Sequence, residues 1–267
     1  MTHTSPQDSD EKKARVQDYF SRTAENYVTS ASHRTGSDLQ RLVELGEWDA
    51  QQQALDIATG GGHTALTIAP YVAHIVVSDL TPRMLEQARA FLLSQNVTNA
   101  EFVQADAEEL PFAPARFDRV TCRIAPHHFP NVERFVQEVA RVLKPGGLFL
   151  LIDNIAPDAP DLDTFINTVE KWRDSSHGRC STLVEWRRFF TDAGLHVELE
   201  EIFRRTHNYD DWTARSQLAT SEKVGLERFI LTASEEARRY FAVTTDEHGH
   251  LKQLNTDVVL LKGRKPQ

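Results

Sequence analysis

The chain has 267 residues, enough to bury a full core within one domain. Its 39 acidic against 30 basic residues, a formal charge of -9, argue against a protein built to grip a nucleic-acid backbone. Two cysteines, Cys122 and Cys180, exclude a disulfide framework or a zinc knuckle, and no apolar run nears the roughly 18 residues of a membrane span. The opening "MTHTSPQDSDEKK" lacks the apolar stretch of a secretion signal, so a reducing, cytoplasmic setting is expected.

Residues 1–12 are polar and read as a disordered tail. "ARVQDYFSRTAENYVTS" then spaces Val16, Tyr19, Phe20 and Tyr27 as on an amphipathic helix, and "DLQRLVELGE" gives a second helix ended near Gly46. From there strands and helices alternate. "QALDIA", "HIVVSD", "AEFVQAD", "FDRVTCRIA" and "LFLLIDN" read as strands. "HTALTIAPYV", "TPRMLEQARAFLLSQN" (Thr81 at the N-cap, Pro82 at N1) and "VERFVQEVARVLKPGG" read as helices between them. Two more helices, "LDTFINTVEKWRDSSH" and "TLVEWRRFFTDAG", precede a long strand, "HVELEEIFRRTHN". A helical stretch from Asp210 to Val243 leads to a last strand, "NTDVVLLKGRK".

This rhythm predicts an α/β fold, a doubly wound and mostly parallel sheet with its ligand at the strands' carboxyl ends. One domain is expected over 13–267, with 13–46 as a helical cap and 208–250 as a helical insertion before the last strand. The insertion either covers the carboxyl end of the sheet as a lid or packs elsewhere. The one basic cluster, Arg179 to Arg188, is interrupted by Leu183, Val184 and Trp186 and reads as a solvated helix face.

"LDIATGGGHTA" is the turn that decides the ligand. Gly60-x-Gly62-x-x-Ala65, with Asp79 ending the next strand, suits a dinucleotide and S-adenosylmethionine alike. Asp56 lies where a dinucleotide would bring its pyrophosphate, and a carboxylate there repels phosphate while suiting an ammonium or sulfonium. Its bland role is to cap the loop. Asp106, after the third strand, suits the adenine amino group or, alone, an ordinary helix cap.

Taken in order, "LDIATGGGHTA", "VVSDLTPRMLEQAR", "ADAEELPFAPARFDRVTCRIAPHHF" and "VARVLKPGGLFLLID" resemble the motifs of the class I S-adenosylmethionine-dependent methyltransferases, in the branch of the ubiquinone and menaquinone C-methyltransferases. The resemblance covers about residues 50 to 155. It implies a seven-stranded Rossmann-like sheet with an antiparallel last strand. It implies that Asp56 faces the methionine amino end through the loop, with Thr59, Gly60 and Gly62 around the amino-acid moiety. Asp79 would hold the ribose hydroxyls, Leu80 and Ala107 flank adenine, Asp106 bind it, and Arg123 lie beside the cofactor. "CRIAPHHFPN" and the long insertion depart from the quinone enzymes where the acceptor is recognised, so the quinone does not carry over.

The expected reaction is in-line transfer of the methyl group to a small molecule, aromatic or polyketide-like, on an oxygen, nitrogen or carbon the sequence leaves open. S-adenosylhomocysteine is the product and no metal is called for. His127 and His128, just past strand four, are the candidate general bases, an ordering role being the alternative. Asp153 and Asn154 share that rim. Tyr19, Tyr27, Phe165, Trp172, Tyr209 and Trp212 are candidates for an aromatic acceptor wall, and Trp172–His177 is a polar segment of unassigned role. A non-catalytic binder of the same fold and an NAD-linked oxidoreductase are the competing readings, and a homodimer is left open.

Overall fold

The computed structural model describes residues 6–29 and 36–267. Its first helix, α1, runs Pro6–Thr29, so residues 6–12 form its opening turns rather than a disordered tail. Proline in the first turn and Asp8 near the positive end of the helix dipole suit that start. The side chain of Tyr27 lies outside the described residues. Helix α2 follows at Ser37–Leu45.

The sheet begins with five parallel strands: β1 (Gln53–Ile57), β2 (His74–Asp79), β3 (Ala100–Gln104), β4 (Phe117–Arg123) and β5 (Leu143–Ile155). The helices between them are α3 (His63–Ile68), α4 (Pro82–Ser94) and α5 (Val132–Val142). The helix expected to stop at Lys144–Gly147 ends just before it, at Val142, where Pro145 cannot continue it and Gly146 takes φ +76°. After α6 (Pro160–Arg173) and α7 (Leu183–Asp192) come β6 (His196–Asn208), α8 (Tyr209–Arg215), α9 (Thr220–Leu231) and α10 (Glu235–Tyr240). A two-residue strand, β7 (Thr244–Thr245), precedes β8 (Leu251–Arg264). Strand β8 ends the sheet in sequence but lies between β5 and β6, antiparallel to both. The spatial order is β3-β2-β1-β4-β5-β8-β6, and β7 adds an eighth strand to the expected seven by folding onto β8.

Alternation along the strands explains burial on both faces. Leu55, Ile57, Val120, Phe149 and Leu151 meet Phe135 and Val139 of α5 and Trp186 and Phe190 of α7 on one side. Ala54, Ile75, Val77, Leu150 and Ile152 meet Leu42, Ile68 and Leu92 on the other. The helices after β6 build a third core with α6, in which Phe165, Tyr209, Leu226 and Phe241 are buried. Of that insertion only α8 reaches the large cavity at the strands' carboxyl ends.

Phe190 is fully buried and stacks on Phe149 with centroids 5.2 Å apart, between α7 and the sheet. Phe190→Ala is expected to destabilise the fold by about 3–5 kcal/mol. Urea unfolding checks this as a lower midpoint with an unchanged slope.

Candidate functional site

The carboxyl ends of β1 to β5 open into a cavity of about 1020 Å³. Pockets for one small ligand span roughly 300–1,000 Å³, so this one stands at the top of that range. The glycine turn forms one wall. Asp79 organises it, accepting hydrogen bonds from the amide of Gly60 at 3.0 Å and that of Thr81 at 2.9 Å. Thr81 stands at the N-cap of α4 but makes no side-chain cap bond, and its hydroxyl serves Asp79 instead.

Behind the turn lies Asp56, 1% exposed, accepting from the hydroxyls of Thr59 and Thr121 at 2.7 Å each. It does not line the cavity, so any influence on a ligand passes through the loop. Gly62 also lies behind the lining, while its neighbours Thr59, Gly60 and Gly61 form it. At φ +82°, Gly62 lets its amide donate to the Thr59 carbonyl at 3.0 Å, and an added Cβ would come within 2.4 Å of Leu92. The turn is therefore drawn tight against α4. Gly60, at φ +54°, has open space where its Cβ would stand, apart from Met84 at 3.9 Å. That opening lets backbone approach a ligand closely.

Leu80, Asp106 and Ala107 line the same end. Asp106 accepts from the Glu108 amide at 2.9 Å and pairs with Lys13 of α1 at 2.6 Å. Lys13 also reaches Glu108 at 2.8 Å, and Gln17 donates to the Leu80 carbonyl at 2.9 Å. Helix α1 thus lies across this end of the cavity. Arg123, leaving β4, donates to Asp38 of α2 at 2.7 Å.

Beyond β4 a 3-10 turn, Pro126–His128, brings both candidate histidines to the cavity, with ring centroids 4.2 Å apart. His127 Nδ1 lies 2.6 Å from Oδ1 of Asp153, which lies near the end of β5 and is fully buried. A carboxylate only accepts, so Nδ1 carries the proton and Nε2 is the basic atom. Burial lowers the imidazole pKa, but Asp153, helped by Glu170 and Asp174, outweighs it and holds it above the ordinary histidine value. His128 is pushed the opposite way by burial and by His127. Its Nδ1 lies 3.1 Å from the Ser176 carbonyl and 3.2 Å from the Ser176 hydroxyl. That hydroxyl donates to Asp174 at 2.6 Å.

The polar Trp172–His177 segment is thereby explained. It backs the histidine turn, and Gly178 and Arg179 anchor it by donating to the His127 carbonyl. Asn131, rather than a histidine, caps α5 by accepting from the Arg134 amide.

The aromatic wall is different from the expectation. Of Tyr19, Phe165, Trp172, Tyr209 and Trp212, only Trp212 lines the cavity. Phe165 and Tyr209 fill the third core, Tyr19 packs against Phe20, and Trp172 donates to Glu222 beside Phe229. Charged and polar groups, including Glu170, Arg173, Asp174, Arg205, His207 and Arg215, stand among the wall's apolar ones. Lys13, Asp38, Thr121 and Arg205 escape sequence reasoning, since their partners are remote in the chain and carry no local pattern.

Burial drives the Asp56 carboxyl up to about 6, opposed by its two threonine bonds. A raised carboxyl pKa penalises the charged form in the fold, so its contribution to stability falls as pH rises from about 4 through 6. Asp56→Asn is expected to gain stability relative to the native chain across that window, measured by urea unfolding at pH 4.5 and pH 7.

A family model described as "Methyltransferase domain" matches residues 55–151. The uncharacterized methyltransferase YcgJ of Bacillus subtilis is 38% identical over 92% of this chain and 97% of its own length. The ubiquinone/menaquinone biosynthesis C-methyltransferase UbiE of Brucella anthropi is 29% identical over 83% of this chain and 85% of its own. Among solved structures, BH2331 from Bacillus halodurans C-125 superposes with a TM-score of 0.85 at 41% identity, over 87% of this chain and all of that one. With the glycine turn, the β-strand order and these relatives in agreement, the chain belongs to the S-adenosylmethionine-dependent methyltransferases.

Proposed function

We propose that the chain transfers a methyl group from S-adenosylmethionine to a small-molecule acceptor, with His127 as general base. The observation that carries this is one cavity bordered at one end by the glycine turn, Asp79 and Asp106 and at the other by His127. The residues suit the cofactor. Gly60 leaves room for close approach, Asp79 presents a buried carboxylate to ribose hydroxyls, and Leu80 and Ala107 offer apolar faces to adenine. Asp106, now held by Lys13, would accept from the adenine amino group. Thr59 and Gly60 would surround the methionine moiety, with Arg123 beside it and Asp56 and Gly62 shaping the loop from behind.

When bound, S-adenosylmethionine supplies a methyl group already activated by its sulfonium. The chain's own part is to align the acceptor, keep water out and take a proton. Asp153 fixes the tautomer of His127 and stabilises the imidazolium formed when Nε2 accepts the acceptor's proton. His128, held neutral, orders the turn through Ser176. The histidine turn in the same cavity as the glycine turn favours a reacting site over a purely structural cofactor site.

Calorimetry with S-adenosylhomocysteine is the first test. Binding is expected, NADH is expected not to bind, and Asp79→Ala should weaken the product's binding about tenfold or more through lost charge-assisted hydrogen bonds. Binding unaffected by that substitution contradicts the placement.

The base has its own signature. By NMR, the His127 imidazole should titrate above the ordinary histidine value and drop in Asp153→Asn, because the carboxylate is what raises it. Once an acceptor is known, the rate should rise with pH through that same pKa and the limb should move to lower pH in Asp153→Asn.

A further inference from the structure

The acceptor end of the cavity is rich in guanidinium groups, and their partners are unevenly shared. Arg123 holds Asp38 at 2.7 Å, Arg173 holds Glu170 at 2.8 Å while lying 4.7 Å over the Trp212 ring, and Arg204 holds Asp257 at 3.1 Å. For Arg205, the acidic contact is Asp38 Oδ2 at 3.5 Å, the oxygen that already receives Arg123. One carboxylate oxygen therefore serves two guanidiniums, and the nearer one is not Arg205.

The fold puts Arg205 there for a reason that can be traced. The ladder of β6 on β8 pairs Arg205 with Thr256 near the strand's carboxyl end, just before α8 carries Trp212 and Arg215 to the same cavity. Burial disfavours its charge, Asp38 opposes that, Arg123 and Arg215 disfavour the charge further, and Asp153 opposes them. An arginine nevertheless stays protonated, so its fork of donors stands in a partly desolvated wall, sharing one carboxylate oxygen with Arg123. That arrangement is stabilised when an oxyanion enters, because a guanidinium binds carboxylate and phosphate oxygens in pairs.

The backbones of Arg123 and Arg205 stand apart, and only their side chains converge on Asp38. Across the sheet, Arg123 lies level with Ile152, Leu260 and Glu201. Arg205 is four residues farther along β6, about 13 Å of strand, and three strands away. His127 and Asn154 border the cavity between the glycine turn and this edge.

We propose that the methyl acceptor carries an oxyanion, a carboxylate or a phosphate, and that Arg205 receives it, fixing the acceptor's orientation toward His127. The proposal rests on the methyl-transfer reading and narrows its substrate class. It replaces the apolar aromatic acceptor suggested by composition with a small, negatively charged one.

The test titrates inorganic phosphate, benzoate and benzamide separately into the protein saturated with S-adenosylhomocysteine, at low ionic strength, and follows the melting temperature. Phosphate or benzoate should raise it saturably, and neutral benzamide should not. Response to benzoate alone assigns a carboxylate, and response to phosphate alone a phosphate. Arg205→Met should weaken the anion's effect about tenfold or more while S-adenosylhomocysteine affinity and the far-ultraviolet circular dichroism stay unchanged. Arg205→Lys, which keeps the charge without the fork, should lie between. The proposal is overturned by no saturable anion effect, by an equal effect in Arg205→Met, or by loss of S-adenosylhomocysteine affinity in that variant, which would assign the guanidinium to the cofactor. Failure of S-adenosylhomocysteine to bind the native chain overturns the methyl-transfer reading itself, and this proposal with it.

Discussion

The Asp79 carboxylate joins two segments that the chain would otherwise leave independent. One oxygen takes the Gly60 amide and the other takes the Thr81 amide, so the turn after β1 and the start of α4 are held in one frame. Burial raises its pKa to about 6, and those amide bonds are what oppose the rise. A carboxylate this desolvated is tolerated because its partners are backbone dipoles fixed by the sheet. Everything at the cofactor end depends on that frame. The tight turn at Gly62, the close approach to α4 and the opening at Gly60 all presuppose it.

A second buried carboxylate plays the matching part beside the histidine turn. Asp153 lies near the end of β5 as Asp79 ends β2, and each is delivered by a parallel strand to the same edge. Asp79 organises amides, whereas Asp153 organises a side chain, His127. The difference lies in the neighbour each one faces. Asp79 meets a glycine turn backed by a helix, and Asp153 meets a 3-10 turn anchored by the polar segment after α6.

The parallel half of the fold is legible because its strands are short apolar runs separated by helices of regular spacing, and the positions of Gly60, Asp79 and Asp106 derive from strand ends alone. The helix ending at Val142 is legible too, because Lys144-Pro145-Gly146-Gly147 marks its stop, while the start of β5 at Leu143, before that proline, is not. The acceptor wall misleads for a deeper reason. Phe165 and Tyr209 look like binding aromatics in sequence, but the insertion after β6 needs a core of its own and they fill it. The charged groups that border the cavity instead, such as Asp38 and Arg205, meet across 167 positions of chain. No periodicity encodes such a meeting.

Helix α1 borders the cavity through Lys13, Val16 and Phe20. Lys13 pairs with Asp106 and Glu108, and Phe20 packs its ring edgewise against His128, 5.0 Å away. Seven positions of helix separate them, a rise of about 10 Å. One helix therefore closes the cavity both beside Asp106 and beside the histidine turn, and the two regions share a single wall.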